Sequence, residues 1–274
     1  MNNYKLQLTN GYYLKLSDVS RLLKYIFDNK ENSKFSSKEI RLNLGITENH
    51  FESLSAFSIS LGLLKSKLFT LTDLGMYIAN YDIYFEKEET LNILHYNISS
   101  VSRIVVWNRL INNVFKENDV INNDVALKYF NDLSENYSEN TMKNKLPKEI
   151  LSVLFSYGEQ NFTRLKILEK IGIGKYKRLE TNITPLQSFE YALFHFRDLY
   201  FPGATALLIG DITEMENSPG RLFFIDKIGV LELLQTLHSK GDLRIESVGD
   251  LNQIRFSSDI TKEIIIKRIY GEKF

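Results

Sequence analysis

Between residues 36 and 72 the chain supplies its own punctuation, and no other stretch limits the fold so tightly. Ser36 followed by Glu39 is a capping-box pair, in which the serine hydroxyl accepts from the amide three residues on. Gly45 ends the helix so begun, Thr47 caps the next one and Gly62 stops it. Glycine serves at such ends because it enters the left-handed conformation without a Cβ clash. Phe51, Leu54, Phe57 and Leu61 recur at steps of three and four and make one buried side. LLKSKLFTLT then alternates around Lys65 and Lys67, the pattern of a β-hairpin. Upstream, Val19, Leu22, Leu23, Ile26 and Phe27 form an apolar stripe over residues 17–27.

Helix, helix, glycine turn, helix, hairpin is the order of a winged helix-turn-helix. The second helix of such a pair lies in the DNA major groove. Glu48, Asn49, His50, Glu52 and Ser53 then face outward, with Asn49, His50 and Ser53 as candidate DNA contacts and Lys65 and Lys67 as wing contacts. The competing reading is a solvated helix face, since Glu48 and Glu52 repel phosphate.

Charge bears directly on that choice. The 274 residues carry 34 basic and 34 acidic side chains, whereas a protein that grips many phosphates usually has a basic surplus. DNA binding therefore requires the cations to be gathered locally, or shared with partner subunits. With no cysteine, disulfides, thiolate metal sites and cysteine nucleophiles are excluded. No apolar run reaches the roughly 20 residues of a membrane span, and MNNYKLQLTN is not a signal peptide. The expected location is the cytoplasm, with no membrane partner.

Further along, residues 101–115 read as a helix anchored by Trp107. The polar stretch 117–146, with one helical patch at 125–133, reads as a surface connection between domains at 1–116 and 147–274. Residues 147–157 and 161–171 read as helices, the second broken by Gly172 and Gly174. IGIGKYKR lacks the Gly-Lys-Ser/Thr ending of a phosphate loop. Lys175, Lys177 and Arg178 are thus a solvated basic turn, with DNA backbone contact as the functional alternative.

Residues 184–200 form a helix containing His195, expected in or near the core. Strands at 206–212 and 221–225, a helix at 226–239 capped by Asp226, and a hairpin at 243–256 about Gly249-Asp250 suggest a second winged module. A tail helix, 260–270, carries Lys262, Lys267 and Arg268 as a further basic edge. The expected fold is mainly α with small β-hairpins, an α+β architecture. Winged helix-turn-helix modules stand at both ends of a helical middle.

The densest chemistry lies in FTLTDLGMYIANYDIYFEKEETLNILHYNI, residues 69–98. Asp82, Glu86, Glu88 and Glu89 precede His95 by one to three helical turns. Clustered carboxylates beside a histidine suit Mg²⁺ or Mn²⁺, which activate water and stabilise the leaving oxygen in phosphodiester cleavage. Asp82, Glu86 and His95 are the candidate catalytic set, with Asp82 and Glu86 as metal ligands. The structural alternative makes Glu88 and Glu89 partners of a helix dipole, Asp82 a cap and His95 a core residue.

LTDLG, YDIYFE and ETLNILHYNI follow one another in the order of a bacterial domain-of-unknown-function family of DNA-phosphorothioation defence islands, and the chain resembles it there. LGITENHFESLSAFSISLGLL, TPLQSFEYAL and SPGRLFFID resemble further segments of the family. Matching positions are Asp82, Tyr84, Glu86, Thr90 and His95; Ile83 and Asn92 depart from the family's proline and tryptophan. The family is similar to the SspB component of single-strand phosphorothioation systems. The resemblance implies sequence-dependent nicking of double-stranded DNA beside a cysteine desulfurase, a sulfur-transferring enzyme and an ATPase. The alternative is a non-catalytic winged-helix transcription regulator or adaptor subunit.

Overall fold

The computed structural model describes residues 4–31, 36–65, 69–180, 184–248 and 251–271, so Lys67 lies outside the described residues. The chain divides into two compact units, Met1–Asn182 and Ile183–Phe274. Both are mainly helical with small antiparallel sheets, an α+β architecture. Among the described residues no helix is long and apolar enough to cross a membrane.

The first unit opens with α1 (Leu16–Asp28), α2 (Ser37–Leu44), α3 (Glu48–Ser60), α4 (Asp73–Tyr81) and α5 (Glu88–Ser99). Local signals set these boundaries. Ser36 accepts from the Glu39 amide, Thr47 from that of His50 and Thr72 from that of Gly75. Each hydroxyl satisfies an amide that the first helical turn would leave without a partner. Gly45 closes α2 in the left-handed conformation, φ 67°. Residues 63–72 make one antiparallel bridge, Leu64 to Leu71, supported by the Lys65 amide donating to the Thr70 carbonyl at 2.8 Å. Gly75 lets α4 approach this turn, because a Cβ there would stand 2.1 Å from the Leu63 carbonyl oxygen.

Then follow α6 (Val105–Arg109), a π-helical turn Leu110–Val114, α7 (Phe115–Glu117), β1 (Val120–Asn122) and α8 (Asn123–Leu127). Next come α9 (Leu146–Gly158), β2 (Leu168–Gly172) and β3 (Lys175–Arg178). The sheet order is β1-β3-β2, with Ile121 opposite Tyr176. Residues 117–146 are therefore structured rather than a polar connection, burying Ile121, Ala126, Phe130 and Leu133. The expected helix at 161–171 is a short 3₁₀ turn, Thr163–Leu165, followed by β2. Its strand conformation depends on partners distant in sequence. Tyr176 of β3 lies over Gly158 at the end of α9 and donates to Glu159 at 2.7 Å, and Lys170 of β2 meets the same carboxylate at 2.6 Å.

The second unit contains α10 (Leu186–Tyr200), β4 (Ala206–Leu208), α11 (Ile209–Glu214), α12 (Pro219–Leu222) and α13 (Lys227–Lys240). It ends with β5 (Leu243–Val248), β6 (Leu251–Phe256) and α14 (Lys262–Tyr270). Its sheet order, β4-β6-β5, repeats the first: the earliest strand pairs with the last. The expected strand at 221–225 is replaced by α12. Ser218 caps the Arg221 amide, and Gly220 lies against the Thr213 backbone, where a Cβ would meet Cα and O at 2.8 Å.

Candidate nucleic-acid interface

The acidic turn is held as a cap. Asp82 is buried, and its two carboxylate oxygens accept from the amides of Glu86 (2.7 Å) and Lys87 (3.2 Å) just before α5. Arg164 ties down the same turn from outside, donating to the carbonyls of Phe85 and Glu86. These bonds hold Phe85 at φ 57°, a left-handed conformation that costs a non-glycine residue on the order of 1 kcal/mol or more. Glu86 itself is exposed.

His95 is turned away from this turn. It is fully buried, with Nδ1 2.6 Å from the Tyr157 hydroxyl and Ser99 Oγ 3.5 Å away. Tyr157 stacks on Phe162 at 5.0 Å and meets the edge of Phe115, and burial pushes its hydroxyl pKa far up. His95 thus belongs to an aromatic core. Among the described residues no group of three or more Asp, Glu or His side chains could hold a metal ion. The donor set does not fit Mg²⁺ or Mn²⁺ at this turn, and no hydrolytic step is derived through one.

The expected reading face of α3 is partly covered. Ser53 is buried, donating to the Asn49 carbonyl at 3.0 Å and accepting from Asn10 at 3.1 Å. His50 stacks flat on Tyr12 at 4.7 Å. Residues 8–13, which sequence reasoning passed over, therefore occupy one flank of α3, because Leu8 and Thr9 are fastened by the buried carboxylate of Glu149 on α9. Asn49 stays exposed beside Glu48 and Glu52. Lys65 is exposed as expected.

The run IGIGKYKR is the tip and second strand of the β2–β3 hairpin. Strand alternation turns Lys175 and Lys177 to solvent and Tyr176 inward, while Arg178 is half-buried. Ile173 at the tip is completely exposed.

In the second unit α13 buries only Val230, Leu234 and Leu237. Lys227, Ile228, Glu232, Gln235, Thr236, Ser239 and Lys240 face solvent. The adjoining β5–β6 hairpin pairs Arg244 with Arg255, both exposed. Like charges opposite one another destabilise a hairpin; here Glu246 offsets them, accepting from Arg255 at 2.8 Å. The sequence signal for this pair was the hairpin register, once its turn was placed.

The tail cations do not form a free basic edge. Lys262 pairs with Asp198 at 3.0 Å, Lys267 with Glu263 at 2.9 Å, and Arg268 with Asp242 at 2.9 Å. His195 is a semi-core residue stacked on Tyr191, as expected. Burial brings its pKa down to about 4, Lys262 adds to the fall, and Asp198 opposes it.

Two solved structures share the fold, a magnesium ion-bound SspB and a second SspB crystal structure. Each has a TM-score of 0.69 over 90% of this chain and 84% of the other, at 12% and 11% identity. No curated protein sequence matches the chain. The model of the family described as protein of unknown function (DUF4007) matches residues 21–270, so all but the first 20 and last four residues fall within it, and the chain belongs to that family.

Proposed function

We propose that this protein is a DNA-binding component of a bacterial phosphorothioate-type DNA-modification or defence system. The carrying observation is the topology of Ile183–Phe274: helix, strand, helices and hairpin with the first strand beside the last, and α13 left open to solvent. That is the plan of a winged helix. Gln235 and Ser239 on α13 are side chains that hydrogen-bond base edges, and Arg244 and Arg255 on the wing suit phosphates. The same plan recurs in β1–α8–α9–β2–β3, with Lys175 and Lys177 on its wing. There α9 is buried on most faces, so that module contributes a wing and no reading helix.

The likeness to SspB supports the phosphorothioation setting, and with it a desulfurase, a sulfur-transferring enzyme and an ATPase as working partners. Fluorescence anisotropy with a labelled duplex across a salt series tests the reading. Each lost phosphate contact lowers the log–log salt slope by about 0.9. Arg244→Ala with Arg255→Ala is expected to reduce the slope by roughly 1–2 and affinity about tenfold or more at moderate salt. Wild-type slope and affinity in the double variant would rule out this wing as the DNA contact.

Nicking is the second reading, favoured by the magnesium-bound state of one structural neighbour. It calls for separate variants, because Asp82 has a structural duty. Asp82→Ala is expected to lower stability by about 1–2 kcal/mol whether or not the turn is catalytic, since two amides lose their acceptor. Glu86 is exposed, so Glu86→Ala should leave the melting temperature unchanged. Loss of supercoiled-plasmid nicking in Glu86→Ala with Mg²⁺ or Mn²⁺ would place chemistry at this turn; full activity would remove it.

A further inference from the structure

We propose that the groove between α2 and α3 is a binding site for a single unpaired guanine nucleotide. The groove has a volume of about 650 Å³, within the range of about 300–1,000 Å³ typical of small-molecule sites. It opens on the flank of α3 that Tyr12 and Asn10 leave free. Lys38 and Arg41 of α2 stand on one wall, Glu48, Phe51, Glu52 and Ser55 of α3 on the other, and Phe69 closes one end.

Ser55 is the observation that points to a ligand. Four serines lie on α3, and three of them donate to the carbonyl four residues back: Ser53 at 3.0 Å, Ser58 at 2.9 Å and Ser60 at 2.7 Å. Ser55 is only 7% exposed and lines the groove, yet its hydroxyl has no hydrogen-bond partner. A buried hydroxyl left in this state costs free energy that a ligand atom would restore. Glu52 stands one turn before it on the same face of the helix.

This arrangement selects among bases. Guanine presents two adjacent N–H donors beside a carbonyl on its Watson–Crick edge, so one carboxylate takes both donors and a hydroxyl donates to the oxygen. Adenine and cytosine place a ring acceptor next to their amino group, which repels a carboxylate; thymine offers one donor between two acceptors. Phe51 and Phe69, with ring centroids 5.3 Å apart, supply the apolar wall on which a base stacks. Lys38 and Arg41 are placed for the phosphate, Arg41 being held loosely by Glu48 at 3.5 Å. An intact duplex, anionic along its whole surface, would meet Glu48 and Glu52 unfavourably. A lone nucleotide turns its phosphate to the basic wall and its donors to the acidic one.

The inference depends on the DNA reading only for where the nucleotide comes from: a free deoxynucleoside monophosphate, or an unpaired residue of a DNA strand. Isothermal titration of the full chain with dGMP, dAMP and dCMP is the first arm. Anisotropy with oligo-dT carrying one central guanine, against all-thymine, is the second. Guanine is expected to bind at least tenfold more tightly than the other bases in whichever arm supplies the natural ligand.

Glu52→Gln, on an exposed side chain, should abolish that preference, because the amide turns a donor against a donor. Ser55→Ala should weaken binding several-fold, and Lys38→Ala should weaken dGMP while leaving deoxyguanosine unchanged. Absence of guanine preference in both arms, or an unchanged preference in Glu52→Gln, would overturn the proposal. Duplex binding that persists alongside such a failure leaves the DNA reading standing. Guanine binding without duplex binding leaves the groove standing and removes the other.

Discussion

Glu149→Ala is expected to destabilise the full-length protein by about 3–5 kcal/mol. The carboxylate is 2% exposed. One oxygen accepts from the Leu8 amide at 2.9 Å and the Thr9 amide at 3.2 Å, the other from the Thr9 amide at 3.2 Å and its hydroxyl at 2.7 Å. Burial pushes the Glu149 pKa up against these bonds and the nearby Lys5 charge. Truncation leaves two amides and a hydroxyl without an acceptor, at about 1–3 kcal/mol each before relaxation. The change also releases what those bonds hold in place.

Asn161 binds the Leu14 carbonyl and the Leu16 amide, and Tyr12 covers His50, so the segment is sewn to unit one at several points. A fall in urea midpoint with faster amide exchange over residues 4–16, and a newly reactive His50 imidazole, is the expected result. Glu149→Gln, which keeps one acceptor, should lose about half as much. A midpoint within error of wild type in Glu149→Ala would show that the segment is held by its apolar side chains alone.

The second large effect lies in Ile183–Phe274. Glu190 and Asp242 are both buried and share Arg268, at 3.5 Å and 2.9 Å. Breaking a buried ion pair by removing one partner costs about 3–5 kcal/mol. Arg268 is one-third exposed and therefore screened, so Arg268→Ala is expected to cost about 2–4 kcal/mol near pH 8.

The loss should shrink near pH 5. Burial first, and the Asp242 charge second, raise the Glu190 pKa to about 7. The folded chain then keeps a proton that the unfolded chain releases near 4.5, so stability falls as pH rises from about 4.5 to 7 and levels off above. At about pH 5 Glu190 is neutral and only Asp242 misses the guanidinium. Glu190→Gln should flatten the slope, which amounts to at most about 3 kcal/mol. Denaturation midpoints of the three proteins from pH 4.5 to 8 measure this; a Glu190→Gln slope equal to wild type would assign the pH dependence to another group.

Turns and caps near in sequence were legible because their causes are local. Ser36, Thr47, Thr72 and Asp226 cap as their spacing requires, and Gly45 and Gly241 close helices in the left-handed conformation. The β5–β6 hairpin follows from alternation on either side of Gly249-Asp250. Residues 161–178 were not legible in that way. LEKIG reads equally as helix or strand until Tyr176 finds Gly158 and β1 supplies a partner about fifty residues upstream. The candidate site divides along the same line. Exposure of Lys65, Lys175 and Lys177 was readable from alternation, whereas the covering of His50 and Ser53 depends on a carboxylate a hundred residues away.

By itself the sequence determined helix starts and stops, the alternation of the strands, the lack of thiol chemistry and a balanced charge, all properties of residues within a few positions or of composition. Tertiary structure alone decided that Asp82 is a cap, that His95 is core, that the tail cations are spoken for and that a groove opens beside Ser55. Each of those depends on groups brought together from distant parts of the chain. A side chain's chemical duty is set by the partners that reach it, and no local pattern records them.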